Sequence, residues 1–566
     1  MPDSLHRKRF WTRRKVLGAT AGGTTAAALG AFAARAATTS DVSATASPPG
    51  DVVGKITVGY QGWFACKGDG APINAWWHWS PNSAQPPSPT NKGITAWPDV
   101  RDYTKTYTTA FANLGNGRAP GVFSSYDQQT VDTHFLWMQQ YGIDTAALQR
   151  FNPTGGEGPT RDAMTTKVRS AAEKYGRKFY IMYDVTSWTA FQSEIKTDWT
   201  NKMKAHTSST AYATQNGKPV VCLWGFGFND DKRNFTAAAC LDVVNWFKNQ
   251  GCYVIGGVPT WWRTGNNDSR AGFSDVYHAF NMISPWMVGR IGNAADSDNF
   301  YNVATVPDIA ECAKTGIDYQ PCVLPGDVAQ RHRVHGDFMW RQFYNVTRAG
   351  SQGIYISMYD EYNEGNQIAK TAESQSWVPT GSGFLSLDED GTACSSDYYL
   401  RLTGDGGRML KGQLAVTATR PTTPFVTGTS AGLPAVATVT LRSRANNKYV
   451  TAESGGAAAL IANRDAVGAW ERFDRLDLGG GNIALRARAN GRIVSADSAG
   501  AAALIANRVA INAWETFKLV TNSDGTVSLL ASANGRYVTA PGAGASSLIA
   551  SSTAIGTSEK FDLATV

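Results

Sequence analysis

The chain lacks a hydrophobic run that could cross a membrane. After residue 36 no window reaches the roughly eighteen consecutive apolar residues that a spanning helix needs. It also lacks a Gly-rich nucleotide fingerprint after its first predicted strand, and no cysteine spacing is typical of a metal site. We therefore expect no membrane anchor, no metal and no cofactor.

Little net charge remains once the N-terminal segment is set aside. Residues 1–36 hold seven Lys or Arg against one acid, a net +6 of the whole-chain +7, so the rest is near +1. A nearly balanced surface has no electrostatic footprint for nucleic acid, which excludes that class of partner. The basic stretch 7–15 contains a near match to a twin-arginine export signal and precedes an Ala/Gly-rich segment, 18–34. We expect residues 1–36 to be a cleaved signal peptide and the mature protein to be a secreted, extracellular monomer.

The cysteine count is odd. Seven cysteines cannot all pair. Cys240 and Cys252, and likewise Cys312 and Cys322, bracket helix-to-strand passages and could be bridged in an oxidising compartment. Because twin-arginine cargo folds before export, buried thiols are an equally good interpretation.

Strand and helix patterns alternate eight times within residues 55–416. The predicted strands are Ile56–Tyr60, Ile143–Arg150, Lys178–Asp184, Val220–Phe226, Tyr253–Val258, Trp286–Arg290, Ile317–Leu324 and Gly353–Tyr359. The helical patterns between them include Thr130–Tyr141, Met164–Tyr175, Phe235–Asn249, Pro307–Lys314 and Gly336–Ala349. This repetition predicts an α/β fold, a (β/α)8 TIM barrel, preceded by a linker at 37–54. A doubly wound open sheet is the alternative.

The last predicted strand runs into two acids. Glu361 and Glu364 follow the apolar stretch Gly353–Tyr359, at the strand end where barrels place their chemistry. Hydrolysis of a glycosidic bond needs one carboxyl to protonate the leaving oxygen and a second group to act as base or nucleophile. We therefore expect these two residues to be catalytic in a glycosidase. An acidic turn that merely caps the strand is the alternative.

Residues at the other strand ends are candidates for binding the substrate. Aromatic, charged and amide side chains recur there, and together they suit a sugar cleft. They are Tyr60, Gln61, Trp63, Arg150, Asp184, Trp261 and Arg290. The loop Trp76–Trp79 could form a wall of the same cleft. Each aromatic could instead belong to the core, and Asp184 or Arg290 could form a buried ion pair.

Several segments between about residues 55 and 410 carry a family resemblance. They are Ser125–Asp127, His134–Asp144, Ala171–Lys178, Gly217–Val221 and Met358–Gly365. They resemble the glycoside hydrolases of the family 71/99 type, secreted α-1,3-glucanases and endo-α-mannosidases. That group has Asn-Glu-Trp-x-Glu-Gly or Asn-Asp-Trp-x-Glu after the last strand, where this sequence has Asp360 for Asn and Tyr362 for Trp. The resemblance implies Glu364 as general acid and Glu361 as a base that assists the 2-hydroxyl of the sugar.

The C-terminal region repeats three times with a 44-residue period. It follows a Thr/Pro-rich linker, 417–434, and occupies residues 435–566. The matching positions include the sets Val450, Val494, Val538 and Phe473, Phe517, Phe561. Three such β-rich repeats predict an all-β trefoil domain with both sets in its core. This part resembles fascin-like trefoils and the carbohydrate-binding modules appended to secreted hydrolases.

Two of the three repeats carry candidate sugar contacts. An aromatic face beside charged groups suits a pyranose ring. The candidates are Arg464, Trp470, Glu471, Arg508, Trp514 and Glu515. Arg and Glu at matching places could instead be a scaffold ion pair. The third repeat has Ser551, Ser552 and Ser558, so at most two sites are expected.

Two functions remain open from the sequence. One is a secreted glycosidase whose partner is a polysaccharide or glycan, assisted by a carbohydrate-binding trefoil. The other is a non-catalytic glycan-binding protein built on a degenerate barrel. The intact acid pair favours the enzyme.

Overall fold

A computed structural model describes residues 47–424, 429–430, 435–479, 481–508, 510–511 and 513–566. The predicted signal peptide, 1–36, lies outside the described residues. Within them, no helix combines the length and the apolar character needed to span a bilayer.

Parallel strands form the N-terminal domain. They are Ile56–Tyr60, Thr145–Arg150, Lys178–Asp184, Lys218–Trp224, Tyr253–Val258, Met282–Pro285, a seventh strand in two pieces, Asp318–Tyr319 and Cys322–Val323, and Ile354–Ile356. Each strand pairs with the next along the chain, and the last pairs with the first. The seventh closes the ring, because Tyr319 pairs with Ile283 while Cys322 pairs with Tyr355. The predicted (β/α)8 barrel is confirmed.

The sixth strand lies earlier than predicted. It covers Met282–Pro285, whereas the prediction was Trp286–Arg290. Pro285 is its last residue in register with the fifth strand, opposite Val258, and the Trp286 N–H still donates to the Val258 carbonyl at 2.9 Å. The chain then turns, with the Arg290 N–H donating to the Met287 carbonyl at 3.0 Å. Arg290 therefore lies in the loop after the strand.

Helices surround the barrel. Their bounds are Gln128–Gln140, Gly158–Tyr175, Phe191–Asp198, Ala237–Asn249, Ser274–His278, Ala294–Phe300, Val306–Thr315, Asp337–Arg348 and Tyr398–Leu410. Two of them end at glycines with left-handed backbone, Gly176 (φ 60°) and Gly316 (φ 69°), a conformation that lets the chain turn back into the next strand. The five predicted helical patterns all correspond to helices.

Both predicted linkers are partly packed on the barrel. Before the first strand, Val52 and Val53 are buried, and the Val53 N–H donates to the Gln215 side chain at 3.2 Å. After the last helix, the Trp340 indole donates to the Thr417 carbonyl at 3.1 Å. Residues 47–54 and 417–424 therefore belong to the body of the barrel domain, not to free linkers.

The C-terminal domain is all β. Its main strands are Ala435–Ser443, Tyr449–Ala452, Leu460–Arg464, Phe473–Gly479, Asn482–Ala487, Ile493–Ala496, Leu504–Arg508, Phe517–Thr521, Val527–Ala531, Arg536–Thr539, Ile549–Ser552 and Phe561–Thr565. The first and last pair in antiparallel register from Val439 with Thr565 to Ser443 with Phe561. The predicted Val and Phe sets are buried in one core, which confirms the trefoil.

A glycine–asparagine contact repeats around the trefoil. The backbone of Gly456 lies against Asn490, so that a Cβ on the glycine would come within 2.1 Å of the amide nitrogen. Gly500 meets Asn534 and Gly544 meets Asn446 in the same way. Each asparagine also donates to a carbonyl sixteen residues further on, at 2.7–2.8 Å. Each repeat therefore packs through a glycine against an asparagine of the next repeat, and the third packs in the same way against the first.

All seven cysteines are buried and unpaired. The two pairings left open by the sequence, Cys240 with Cys252 and Cys312 with Cys322, are absent. Burial raises the pKa of every one of these thiols.

Candidate active site

The two predicted acids lie on a loop at the carboxyl end of the barrel. The loop follows the strand Ile354–Ile356 and returns on itself, with the Ile368 N–H donating to the Met358 carbonyl at 3.0 Å. It is joined to the first strand because the Tyr359 N–H donates to the Gly59 carbonyl at 2.8 Å. The acids therefore extend from a backbone that two barrel strands support.

Glu361 is buried and fully hydrogen-bonded. Its Oε1 accepts from the backbone N–H groups of Asn363, at 3.0 Å, and Glu364, at 3.3 Å. Its Oε2 accepts from the Gln61 side-chain amide. These three donors offset part of the cost of burying the carboxylate.

Glu364 has a different environment. Its side chain reaches solvent, and within the described part of the chain no hydrogen bond to its carboxylate is found. The protein atoms that crowd it nevertheless raise its pKa, and the charge of Asp327 adds to the effect. Burial raises the pKa of Glu361, with a further contribution from the charge of Glu364, while the Gln61 bond acts in the opposite direction.

Asn363 anchors the residues between the two acids. Its side-chain amide donates to the carbonyls of His78 and Gly93, both at 2.7 Å. Each bond joins the acid loop to the long segment after the first strand. Asn363 therefore fixes the turn between Glu361 and Glu364 to that segment.

Two buried arginines that the sequence analysis did not single out support this edge of the barrel. Arg333 donates to the carbonyls of Gly365, at 2.9 Å, and Gln367, at 2.7 Å, directly after the acids. Arg161 donates to the carbonyls of Gln61 and Gly62, at 2.5 and 3.0 Å. Burial lowers the pKa of both guanidinium groups. Both arginines lie outside any catalytic motif, so no signal in the sequence marked them.

A stack of three rings stands beside the acid loop. Trp63 lies parallel to His78, with ring centroids 3.7 Å apart, and close to parallel to Phe151, at 5.4 Å. All three are half-buried. Trp76 and Trp79, by contrast, are buried in the core, so only part of the predicted tryptophan loop faces this side.

Tyr60 and Arg150 lie behind the site rather than in it. Tyr60 is fully buried and its hydroxyl contacts Nδ1 of His134 at 3.0 Å. Arg150 is 2% exposed and pairs with Asp198 at 2.5 Å and with Asp162 at 2.6 Å. Both residues therefore hold the strands together, and the expectation that they contact a sugar is corrected.

Asp184 lies at the end of the third strand, in register with Trp224 of the fourth. Its carboxylate accepts from the Thr186 N–H at 2.9 Å. Burial raises its pKa, against that bond and the charge of Arg233. Gly257 leaves room for the Trp224 ring, since a Cβ there would come within 2.2 Å of it. Asp184 and Trp224 therefore lie side by side at the carboxyl ends of the third and fourth strands.

Trp261 and Arg290 are joined through an acid that the sequence analysis did not identify. The Asp268 carboxylate accepts from the backbone N–H of Trp261 at 3.1 Å and from the Arg290 guanidinium at 2.8 Å. The open alternative of an ion pair is thus what the structure shows for Arg290. Both side chains remain half-buried on the rim.

In the trefoil, the two predicted tryptophans are exposed and each lies in a repeat with an ion pair. Trp470 is 39% and Trp514 37% exposed. In the first repeat Arg464 donates to both oxygens of Glu453 at 2.9 Å. In the second, Arg508 pairs with Asp497 at 2.6 Å, and its guanidinium lies 5.8 Å from the Trp514 ring. The acids at 453 and 497 were missed, although the 44-residue period relates them.

The glutamates next to the tryptophans have a structural role. Glu471 is 4% exposed and accepts from the Gly468 N–H at 2.7 Å. Glu515 is 2% exposed and accepts from the Ser495 hydroxyl at 2.6 Å. Glu559 of the third repeat accepts from the Gly556 N–H at 2.8 Å. Because the third repeat keeps its glutamate without a tryptophan, the prediction that Glu471 and Glu515 contact sugar is corrected.

The third repeat loses the other groups together. Pro541, Ser552 and Ser558 stand where the first two repeats have the acid, the arginine and the tryptophan. Pro541 keeps the backbone of Asp497, with φ −67° and ψ 159° against φ −62° and ψ 155°. The backbone at this position is therefore nearly the same in the two repeats although the acid is missing from the third.

No protein family profile and no curated protein matches this chain. Among solved structures it is similar to the GH99 endo-alpha-mannosidase from Bacteroides thetaiotaomicron, with 14% identity and a TM-score of 0.45 over 64% of this chain and 98% of that one. It is similar to ThreeFoil, a designed 3-fold symmetric protein, with 22% identity and a TM-score of 0.22 over 23% and 99%. It is also similar to the BEL beta-trefoil, with 11% identity and a TM-score of 0.21 over 24% and 97%.

Proposed function

We propose that this protein is a glycoside hydrolase that cleaves a polysaccharide or glycan by carboxylate acid/base catalysis. Glu364 is the general acid and Glu361 the base. The observation that carries the proposal is that two adjacent carboxyls at the mouth of a barrel have different surroundings. Glu361 is buried and accepts three hydrogen bonds, whereas the Glu364 side chain reaches solvent, and burial raises the pKa of both carboxyls. A pair of carboxyls in different environments is what an acid and a base need in order to coexist at one pH.

The barrel mouth supplies surfaces that suit a sugar. The ring stack on Trp63 follows the first strand, and Asp184 and Trp224 end the third and fourth strands. Aromatic faces pack against the apolar face of a pyranose, and carboxylates accept from its hydroxyls. We propose that the half-buried groups Trp63, Asp184 and Trp261 bind substrate and that Gln61 acts through Glu361.

The test is hydrolysis by the mature protein of α-mannan, α-1,3-glucan and plant or fungal wall polysaccharides, measured as new reducing ends. Glu364→Gln and Glu361→Gln serve as matched variants, since each replaces a carboxyl with an amide of nearly the same shape. We expect each variant to lose at least about 10²-fold in rate, the usual contribution of a positioned acid or base. Binding without release of reducing ends by the unaltered protein would support the non-catalytic alternative.

We also propose that the trefoil binds carbohydrate through the exposed groups Trp470 with Arg464 and Trp514 with Arg508. The joint loss of acid, arginine and tryptophan from the third repeat supports this, because a scaffold element would be needed in all three. Retention of the full chain by insoluble polysaccharides tests it.

The cellular setting is a further part of the proposal. We propose export through the twin-arginine route as a monomer. Replacing Arg13 and Arg14 together by Lys should stop export from a host that has this route. Light scattering of the mature protein should give a mass slightly below the 60.8 kDa of the whole chain.

A further inference from the structure

Resting on the proposed function, we propose that Gln61 is the positioning residue of Glu361. Its side-chain amide holds one oxygen of the carboxylate, and Asp360 and Arg161 hold Gln61 in place through its backbone. The three residues form a bracket between the first strand and the acid loop.

The two oxygens of Glu361 are held in different ways. Oε1 accepts from two N–H groups of its own loop. These bonds do not fix the carboxylate relative to the barrel, because the donors move with the loop. Oε2 accepts from Gln61, which directly follows the first strand and is 300 residues away in sequence. Among the described residues, Gln61 is the one whose side chain hydrogen-bonds to Oε2. The rotation of the carboxylate relative to the barrel therefore depends on Gln61.

Both the N–H and the carbonyl group of Gln61 are hydrogen-bonded to charged side chains. The two oxygens of Asp360 accept the N–H groups of Gln61 and Gly62, each at 2.8 Å. Arg161 donates to the carbonyls of the same two residues. Two consecutive residues thus have all four backbone polar groups bound to charged side chains. Gly62 has φ +56°, a left-handed conformation that favours glycine.

This arrangement is costly for stability. Asp360 is fully buried and Arg161 is 2% exposed, and taking such charges out of water opposes folding unless their hydrogen bonds offset the loss of hydration. Neutral groups could satisfy the same backbone at lower cost. The charges are better explained by the precision that they give to Gln61, because a carboxylate that must meet a reacting atom tolerates little displacement.

The bracket also affects the charge of Glu361. Burial and the neighbouring Glu364 raise the pKa of Glu361, and the hydrogen bond from Gln61 lowers it. Removing that donor should therefore raise the pKa further. A residue that only filled space would not change the titration of the acid.

The experiment replaces Gln61 with Met, which keeps the length of the side chain but has no donor. Glutamate labelled with ¹³C at Cδ reports the titration by NMR, and the Glu361 signal is assigned by its loss in Glu361→Gln. We expect a higher midpoint for Glu361 in Gln61→Met and a loss of about 10²-fold in kcat with little change in KM. The acidic limb of the kcat–pH profile should move upward by the same amount as the NMR midpoint.

Gln149→Met is the matched control. Gln149 is another buried glutamine near the barrel mouth, and its side-chain amide lies 4.0 Å from the Met358 sulfur rather than on a carboxylate. We expect no change in the Glu361 midpoint there. Asp360→Asn removes a charge and one acceptor from the bracket, and should impair turnover in the folded protein because the backbone of Gln61 is held less firmly.

The possible outcomes separate this inference from the proposed function. An unchanged Glu361 midpoint in a folded Gln61→Met variant, or an equal change in Gln149→Met, overturns the inference even if the protein is an active hydrolase. A raised midpoint with no hydrolysis of any glycan by the unaltered protein upholds the bracket and rejects the proposed function. If Gln61→Met does not fold, Gln61→Asn is measured in its place, because its shorter side chain no longer reaches Glu361.

Discussion

The indole nitrogen of Trp262 donates a hydrogen bond to the buried carboxylate of Asp308, 3.0 Å away. Arg263 binds the other oxygen of the same acid, also at 3.0 Å. Asp308 belongs to the helix Val306–Thr315, and the other two residues follow the fifth strand, so the contact fixes a loop at the barrel mouth to an outer helix. Burial outweighs both donors and raises the pKa of Asp308 to about 7.

Asp308→Asn should therefore change the dependence of stability on pH. The native acid holds its proton more tightly than the unfolded chain, whose aspartate titrates near 3.8, so its contribution to stability falls as pH rises from about 4 to about 7. An asparagine does not titrate. We expect the free energy of unfolding of the natural protein, minus that of the variant, to decrease over this interval by at most about 1.4 kcal/mol per pH unit. Urea unfolding at several pH values measures it, and a constant difference would contradict it.

The seven thiols should not react with thiol reagents in the folded protein. All are buried with raised pKa values, and thiol reagents attack the exposed thiolate. We expect no reaction with a chromogenic disulfide reagent under native conditions and seven equivalents after denaturation. A count of three after denaturation would instead mean that Cys240–Cys252 and Cys312–Cys322 are bridged.

The two acids should respond differently to the leaving group. A general acid matters less when the departing group is already stable as an anion, whereas the base is needed in either case. We expect Glu364→Gln to recover most of its lost rate on an aryl glycoside with an acidic phenol, and Glu361→Gln to stay impaired on it. Equal recovery by both variants would reverse or remove the assignment.

The third trefoil repeat offers a gain-of-function test. Pro541→Asp, Ser552→Arg and Ser558→Trp together would copy the groups of the second repeat onto a backbone that already has the same angles at position 541. We expect stronger retention of the full chain on a polysaccharide that it already binds, because a third site raises the effective concentration of the module. Retention that does not rise in the folded triple variant would speak against these groups as a site.

Loss of the existing sites gives the complementary result. Trp470→Ala and Trp514→Ala should each weaken retention, and the double variant should abolish it, since each site contributes little alone. Trp246, a partly buried tryptophan of the barrel, provides the control substitution. Undiminished retention by the folded double variant would show that the trefoil binds through another face.

The sequence predicted the features that follow from the order of residue patterns along the chain. The barrel follows from eight alternating patterns, and the acid pair from one short motif after a strand. It did not predict Arg161 or Asp308, because both lie in helices whose polar residues usually face solvent, and only packing shows that these two are buried. Glu471 illustrates a different failure: a repeat period shows that positions are equivalent but not whether they bind a ligand or the chain itself.

The glycine–asparagine contacts also mean that no trefoil repeat is structurally the first or the last. The strand that begins at Ala435 is hydrogen-bonded to the strand that ends at Thr565, so the two ends of the domain are neighbours. A short peptide could join them, and new ends could be opened in the exposed turn around Gly525, where a Cβ would meet no other atom. The domain should therefore tolerate such circular permutation. A fusion partner attached at the new ends would then lie at a different place relative to Trp470 and Trp514.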